Sequence, residues 1–363
     1  MTTKEYLIVG QGVAGSLLAF MLWEKGKNIT LIDNAHHTCA SKVAAGICNA
    51  ITGKRFTKTW LAEEVFPFLH HFYQHLENNI LNTKFYYPTQ TYYPFEDIQE
   101  QNTIFAKSEQ LTWKEQVSFE APDKALEPYL QNTYGGWICK GACTIDTHHL
   151  LARFKDFFAE KKLYLQDQLD HSLLKIDNNT NHWLYKDQSY QNIIFCEGTQ
   201  IQKNPFFNYL PFKFVKGEII TIELDTPLEN FTQIINKGIF IAPIGKKQYK
   251  VGATYNWDDL SWQNTEQAKE EIETKLKKIL KTPYKVIAQE AGIRPATYDR
   301  RPFIGKHPQY SNLWVFNGFG TKAFSLVPYL ATQFIEHLLY NKNTIPPEAN
   351  IERVKRLFLE KNR

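Results

Sequence analysis

Six residues near the N-terminus, Gly10-Gln11-Gly12-Val13-Ala14-Gly15, constrain this chain more than any other segment. They match G-x-G-x-x-G, which by itself is a weak signal. Here the pattern follows an apolar stretch, Tyr6–Val9, that reads as a strand, and opens Gly15–Glu24, which reads as a helix. A turn at Lys25-Gly26 leads to a second strand, Ile29–Ile32, which ends in Asp33-Asn34. That is a βαβ unit, and Asp33 stands close to the roughly 20-residue spacing of a ribose-binding carboxylate. Each residue type has a physical task. Gly10 permits the sharp turn, Gly12 lets the backbone approach a pyrophosphate, and Gly15 lets helix and strand pack closely. Val13 and Ala14 lie in the turn that leads into the helix, whose free N–H groups and positive dipole end face phosphates. Asp33 can accept bonds from ribose hydroxyls, and its charge repels a 2′-phosphate. The unit implies a dinucleotide but does not choose between FAD and NAD. The sequence holds no second glycine-rich βαβ unit for a separate nucleotide.

A chain of 363 residues has room for two domains, or for a cofactor domain with an inserted module. Its net charge of +4 is spread without a basic block, which argues against dedicated nucleic-acid binding. Cys39, Cys48, Cys139, Cys143 and Cys196 form no C-x-x-C pair, so a metal site is not expected and a reduced, cytoplasmic compartment is. The chain runs straight from its first residues into a strand, with no room for a signal peptide. No apolar run is long enough to span a membrane. His36-His37, His70-His71 and His148-His149 are adjacent pairs, which on a helix point apart and do not make ligand pairs.

The periodicity predicts helices over Trp60–Leu76, His148–Lys161, Thr265–Leu280 and Phe324–Tyr340. Strands are predicted over Phe85–Phe95, Trp137–Ile145, Tyr190–Cys196, Phe212–Leu224, Gly238–Pro243, Tyr249–Tyr255 and Leu313–Phe316. The expectation is an α/β chain with a Rossmann-like cofactor domain built from residues 1–80, 145–205 and 290–363. A mixed or antiparallel-sheet substrate domain, residues 80–145 and 205–290, is inserted in it. Tyr86, Tyr87, Tyr92, Tyr93 and Phe95 fit core packing and a substrate cavity equally well. His307, in a turn, reads as structural, and Arg353–Arg363 as a solvated basic helix.

Several further segments occur in a fixed order. They are Cys39-Ala40-Ser41-Lys42-Val43-Ala44-Ala45-Gly46-Ile47, Val215-Lys216-Gly217-Glu218, Gly252-Ala253-Thr254-Tyr255, Ala291-Gly292-Ile293-Arg294-Pro295, Pro302-Phe303-Ile304-Gly305, and Asn317-Gly318-Phe319-Gly320-Thr321-Lys322 with Pro328 beyond. This set resembles the D-amino-acid-oxidase-like family of FAD-dependent oxidoreductases, nearest its glycine oxidases and the oxidase domain of a bifunctional tRNA-modifying enzyme. The resemblance covers nearly the whole chain and is thin from about residue 54 to 130. It implies FAD as cofactor. Ser41, Ala44, Ala45 and Gly46 match the family loop running past the pyrophosphate. Gly198 matches the glycine closing a second FAD-side strand, and Gly318, Gly320, Thr321 and Lys322 match the loop facing the flavin pyrimidine edge. The branch with covalent flavin carries a cysteine where this chain has Gly292–Asp299, so non-covalent FAD is implied. Gly-Ile-Arg-Pro matches the motif whose arginine grips a substrate carboxylate, which assigns that task to Arg294. The alternative for Arg294 is a structural ion pair with Asp299 or Glu290.

One residue departs from the family. Members that oxidise amino acids often carry tyrosine where this chain has Phe240, so the ring is kept without its hydroxyl. Tyr255 or Tyr298 is a candidate replacement. The expected reaction is oxidation of an amine or amino acid by hydride transfer from the α-carbon to flavin N5, giving an imine, with dioxygen or another acceptor receiving the electrons. No catalytic acid or base residue is required. The alternatives are an oxidase acting on a carboxymethylamino-modified tRNA base and a flavin-binding protein without turnover.

Overall fold

A computed structural model describes the chain except residues 1–2, 36–38, 53–55, 110–113, 122–126, 227–231, 246 and 362–363. His36-His37 therefore lies outside the described residues. Two large sheets organise the rest. In the first, Thr3–Val9 lies between two parallel neighbours, Ile29–Asp33 and Gln188–Phe195. Tyr164–Gln166 extends the sheet beyond Ile29–Asp33. The outer edge of Gln188–Phe195 is shared: its first half pairs with His182–Tyr185 and its second half, in parallel, with Leu313–Asn317. Leu7, Ile8, Leu31, Ile32, Ile193, Ile194 and Phe195 are all buried, the pattern of parallel strands covered on both faces. Helices Val13–Glu24, Thr147–Glu160 and Ala323–Tyr340 contribute to the core against it.

The second sheet runs in the order Tyr284–Arg294, Val215–Leu224, Gln248–Gly252, Phe240–Pro243, Ile234–Asn236, Tyr86–Pro94, Gly136–Ile145 and Ile47–Cys48. Every neighbour in it is antiparallel except Ile234–Asn236 with Tyr86–Pro94. Alternation gives its central strands two different faces. Ile220, Ile222, Tyr249, Val251, Ile241 and Ile235 form one core with Ile272 and Leu276 of helix Glu266–Leu276. Val215, Gly217, Ile219 and Phe240 are left for the opposite face.

The elements read from the periodicity all form, with ends shifted by a few residues. The strand expected from Phe212 begins only at Val215, because Phe212 leaves the ladder and packs its ring on Phe303. The periodicity did not reveal helix Ile98–Glu109, strands Tyr284–Arg294 and Phe303–Lys306, or several shorter strands such as Tyr164–Gln166, His182–Tyr185 and Ile234–Asn236. The helix buries only Ile104 and Ser108, and the long strand is an edge with exposed residues on both faces along its first half, so neither carries a clean period. Tyr86, Tyr92, Tyr93 and Phe95 are buried, and Tyr93 stacks on Trp137 at 4.0 Å, so core packing accounts for these rings; Tyr87 is exposed. No helix among the described residues is long and apolar enough to cross a membrane.

Candidate functional site

The glycine turn is built by close backbone approach. Gly10 has φ +103°, and a Cβ on Gly15 would stand 1.8 Å from the Gly10 carbonyl oxygen, so the helix starts directly against the strand it leaves. Among the described residues, the only atom near a Cβ placed on Gly12 is Ser41 Oγ at 3.3 Å. That hydroxyl accepts the Val13 N–H at 3.1 Å. The other N–H groups of the first turn have no intrahelical acceptor, and their dipole end favours an anion. Asp33 is oriented by two backbone donors, Gln11 N–H at 2.8 Å and Ala35 N–H at 2.7 Å. A carboxylate has further acceptor capacity for a ribose. Asn34 lies half-buried beside it.

The loop carrying Ser41, Ala44, Ala45 and Gly46 is tied down from the far side. Thr147 Oγ1 donates to the carbonyls of Lys42 at 3.0 Å and Ala44 at 3.1 Å. Gly46 fits against the backbone of Ile145, where a Cβ would meet the carbonyl oxygen at 2.0 Å. Val43 packs on Gly292, which brings this loop against the strand that ends in Arg294. The late loop reaches the same place. Gly320 N–H donates to the Pro295 carbonyl at 3.2 Å. Asn317 bonds the Gly198 carbonyl at 2.9 Å through Nδ2 and receives the Gly318 N–H at 2.8 Å. Lys322 stands where helix Ala323–Tyr340 begins, with Nζ 3.4 Å from the Asn49 carbonyl, and Thr321 is exposed beside it. Burial pushes the Lys322 ammonium down to about 8.

Arg294 occupies a sandwich on the free face of the second sheet. Its guanidinium lies on Gly217, where a Cβ would meet Nη2 at 1.9 Å, and the Tyr255 ring stands 4.6 Å from Cζ on the other side. Nη1 donates to the carbonyls of Lys216 and Thr254 at 3.4 and 3.3 Å. Among the described residues no partner takes Nη2 or Nε, and no carboxylate pairs with this cation. The two acids nearest in sequence are engaged elsewhere: Glu290 with His148 and Lys250, Asp299 with Arg353. Desolvation pushes the guanidinium below its ordinary value, yet an arginine remains charged. Phe240 shares this face, since Phe240, Gly252 and Ile219 are directly opposite one another across three strands. Tyr298 points into solvent with its ring beside Lys213.

The structure thus brings Arg294, Phe240 and Tyr255 to one face, and gathers Ser41–Gly46, Gly292–Arg294 and Gly318–Lys322 against each other. Asn317, Gly217 and Lys216 complete the arrangement and were not assigned roles from the sequence. All three lie inside quoted segments, but which face each side chain takes depends on strand register.

A parallel βαβ sheet with a glycine turn, a carboxylate oriented by backbone N–H groups at the end of the second strand and free helix N-termini is the architecture of a dinucleotide-binding domain. The family model described as FAD dependent oxidoreductase (DAO) matches residues 5–336, and the chain belongs to that family; its cofactor is FAD. The site fits that group, since the glycine turn is open, and Lys322 offers a cation with no carboxylate partner among the described residues. Among solved structures, the fold is similar to iminodiacetate oxidase from Chelativorans sp. BNC1, with TM-score 0.81, 19% identity, and coverage of 95% of this chain and 98% of that one. Glycine oxidase from Bacillus cereus ATCC 14579 aligns with TM-score 0.78 at 19% identity, covering 94% and 96%. Among curated proteins, the bifunctional protein of tRNA 5-methylaminomethyl-2-thiouridine biosynthesis from Legionella pneumophila is 22% identical over 210 residues, 49% of this chain. The match spans 31% of the length of that relative.

Proposed function

We propose that this protein oxidises an amine bearing a carboxylate, such as an amino acid or an N-substituted glycine. The observation that carries the reading is the Arg294 sandwich: a half-buried guanidinium, flat against Gly217 and capped by Tyr255, with Nη2 and Nε free of described partners. A buried cation without an anion is costly, and a planar fork fits a carboxylate with two parallel bonds. The sandwich holds the fork rigid, which fixes where the substrate's α-carbon lies. Phe240 and Ile219 supply an apolar wall that excludes water and favours the neutral amine. FAD, when bound, would supply the redox chemistry as acceptor of a hydride from the carbon beside nitrogen, and the imine so formed would be hydrolysed by water. Gly10, Gly12, Val13, Ala14, Gly15 and Ser41 would hold its pyrophosphate, Asp33 and Asn34 its ribose. Ala44, Ala45, Gly46, Gly198, Gly318, Gly320, Thr321 and Lys322 would surround the rest. No cysteine lies in Gly292–Asp299, which supports non-covalent binding. Dioxygen or another acceptor would then take the electrons.

The test is anaerobic photometry with glycine, N-methylglycine, iminodiacetate, proline and matching amines without a carboxylate. At least one carboxylate substrate bleaches the flavin and its decarboxy analogue does so far less. Arg294→Ala and Gly217→Ala each raise KM for that substrate ten- to a hundred-fold, the range of about 1.5–3 kcal/mol for a charged hydrogen-bonded contact. Undiminished bleaching by Arg294→Ala would overturn the assignment.

A second reading makes the substrate a modified tRNA base carrying such an amine. It is favoured by the curated relatives and by the exposed ring pair Tyr255 and Trp257, whose centroids lie 6.1 Å apart beside Arg294. Bases stack on such rings. RNA affinity that falls steeply with salt would support it, and a flat or absent response would leave the small amine alone.

A further inference from the structure

Lys216 and Glu218 flank the glycine on which Arg294 rests, and they are 1% and 2% exposed. Side chains alternate along a strand, so the pair leaves the sheet on the face opposite Arg294. There the Lys216 ammonium pairs with Glu218 Oε1 at 3.4 Å and reaches one loop at three points: Asp259 Oδ2 at 2.6 Å, the Gln263 carbonyl at 2.5 Å and Ser261 Oγ at 3.3 Å. Glu218 holds the end of that loop, accepting the Thr265 N–H, the Thr265 hydroxyl and Gln289 Nε2, each at 2.8 Å. The backbone of Lys216 holds its start, exchanging two hydrogen bonds with Asn256 at 2.8 and 2.9 Å. The same Lys216 carbonyl receives Arg294 Nη1, and the Thr254 carbonyl receives it as well. Between these ties stand Tyr255, over the guanidinium, and Trp257, beside Tyr255. Both rings are more than half exposed, so little of either is held by packing beyond these contacts. A buried ammonium gains little net stability, so its place here calls for a reason in what it positions.

We infer that Lys216 is a positioning residue: from the far face of the sheet its ammonium pins the Asn256–Gln263 loop so that Tyr255, with Trp257 beside it, stands over Arg294, and this sets the affinity of the site for a carboxylate. The inference rests on the reading of Arg294 as the carboxylate anchor.

The experiment titrates acetate into the FAD-loaded protein and follows the flavin absorbance, for wild type, Lys216→Met, Asp259→Asn, Arg294→Ala and the Lys216→Met/Arg294→Ala pair. Flavin content and melting temperature are recorded for each. Lys216→Met weakens acetate at least ten-fold and Asp259→Asn about three-fold, both with full flavin content. Adding Lys216→Met to Arg294→Ala weakens it no further, a non-additivity that general loosening of the fold does not produce. If Lys216→Met binds acetate as wild type does while Arg294→Ala does not, the positioning role is wrong and the anchor stands. If Arg294→Ala keeps wild-type affinity, the anchor itself is wrong. Should Lys216→Met fail to fold, Asp259→Asn, at a partly exposed position, decides by the same outcomes.

Discussion

His307 shows how much a single side chain's surroundings can matter. Its Nδ1 accepts the N–H groups of Gln309 and Tyr310, both at 3.1 Å, and Nε2 donates to the Phe206 carbonyl at 3.1 Å. Two donors aimed at Nδ1 require the neutral ring, and burial pushes its pKa down to about 4. The unfolded chain takes up this proton near pH 6.5, whereas the folded one does not until about 4. The unfolded state therefore binds more protons between those values, and stability falls as pH drops through that window, by up to about 3 kcal/mol. His307→Gln should flatten this loss. Urea unfolding midpoints at pH 7 and pH 4.5 measure it, and equal acid sensitivity in the two proteins would show that His307 is not the cause. The structural reading of His307 was legible in its turn context. Its neutral state was not, because the two donors and the acceptor become visible only once the turn is folded. Arg294 is the counterpart: its motif was legible, and the diversion of Glu290 and Asp299 to other cations was not.

Elements assemble here by backbone contact as much as by side chains. The helix Val13–Glu24 meets the end of strand Thr3–Val9 with no space for a Cβ on Gly15. Gly15→Ala would force carbonyl and methyl apart and separate the two elements. The expected cost is about 3 kcal/mol, the upper end for overpacking, because the obstacle is backbone. Thermal unfolding and retained FAD after gel filtration check it, and a variant with wild-type stability would mean that the helix can shift without loss. This approach was readable in the glycine spacing. The edge strand Tyr284–Arg294 was not: solvent reaches much of its first half, so burial imposes no alternation on its sequence. Its partner Val215–Leu224, buried on both faces, was readable as strand.

At the scale of the whole molecule, the candidate cofactor site has no single element that holds it. It closes only when the glycine turn, the Ser41–Gly46 loop, Gly198 and the Gly318–Lys322 loop meet, with Asn317 bonding Gly198 across 119 residues. FAD binding to such a site couples to global folding, since the unfolded chain has no cradle. Free FAD at a hundred times its Kd should stabilise the protein by about 2.7 kcal/mol, and the melting temperature should rise with FAD concentration. A melting temperature indifferent to added FAD, in protein stripped of it, would contradict the coupling. The sequence by itself determined the βαβ turn and the family motifs, because those depend on residue types at short fixed spacings that local backbone geometry enforces. Tertiary structure alone decided the Arg294 sandwich on Gly217, the Lys216 clamp beneath it and the Asn317 bridge. Each joins residues from distant parts of the chain, 78 apart for Arg294 and Lys216, and only strand register determines which of their side chains share a face.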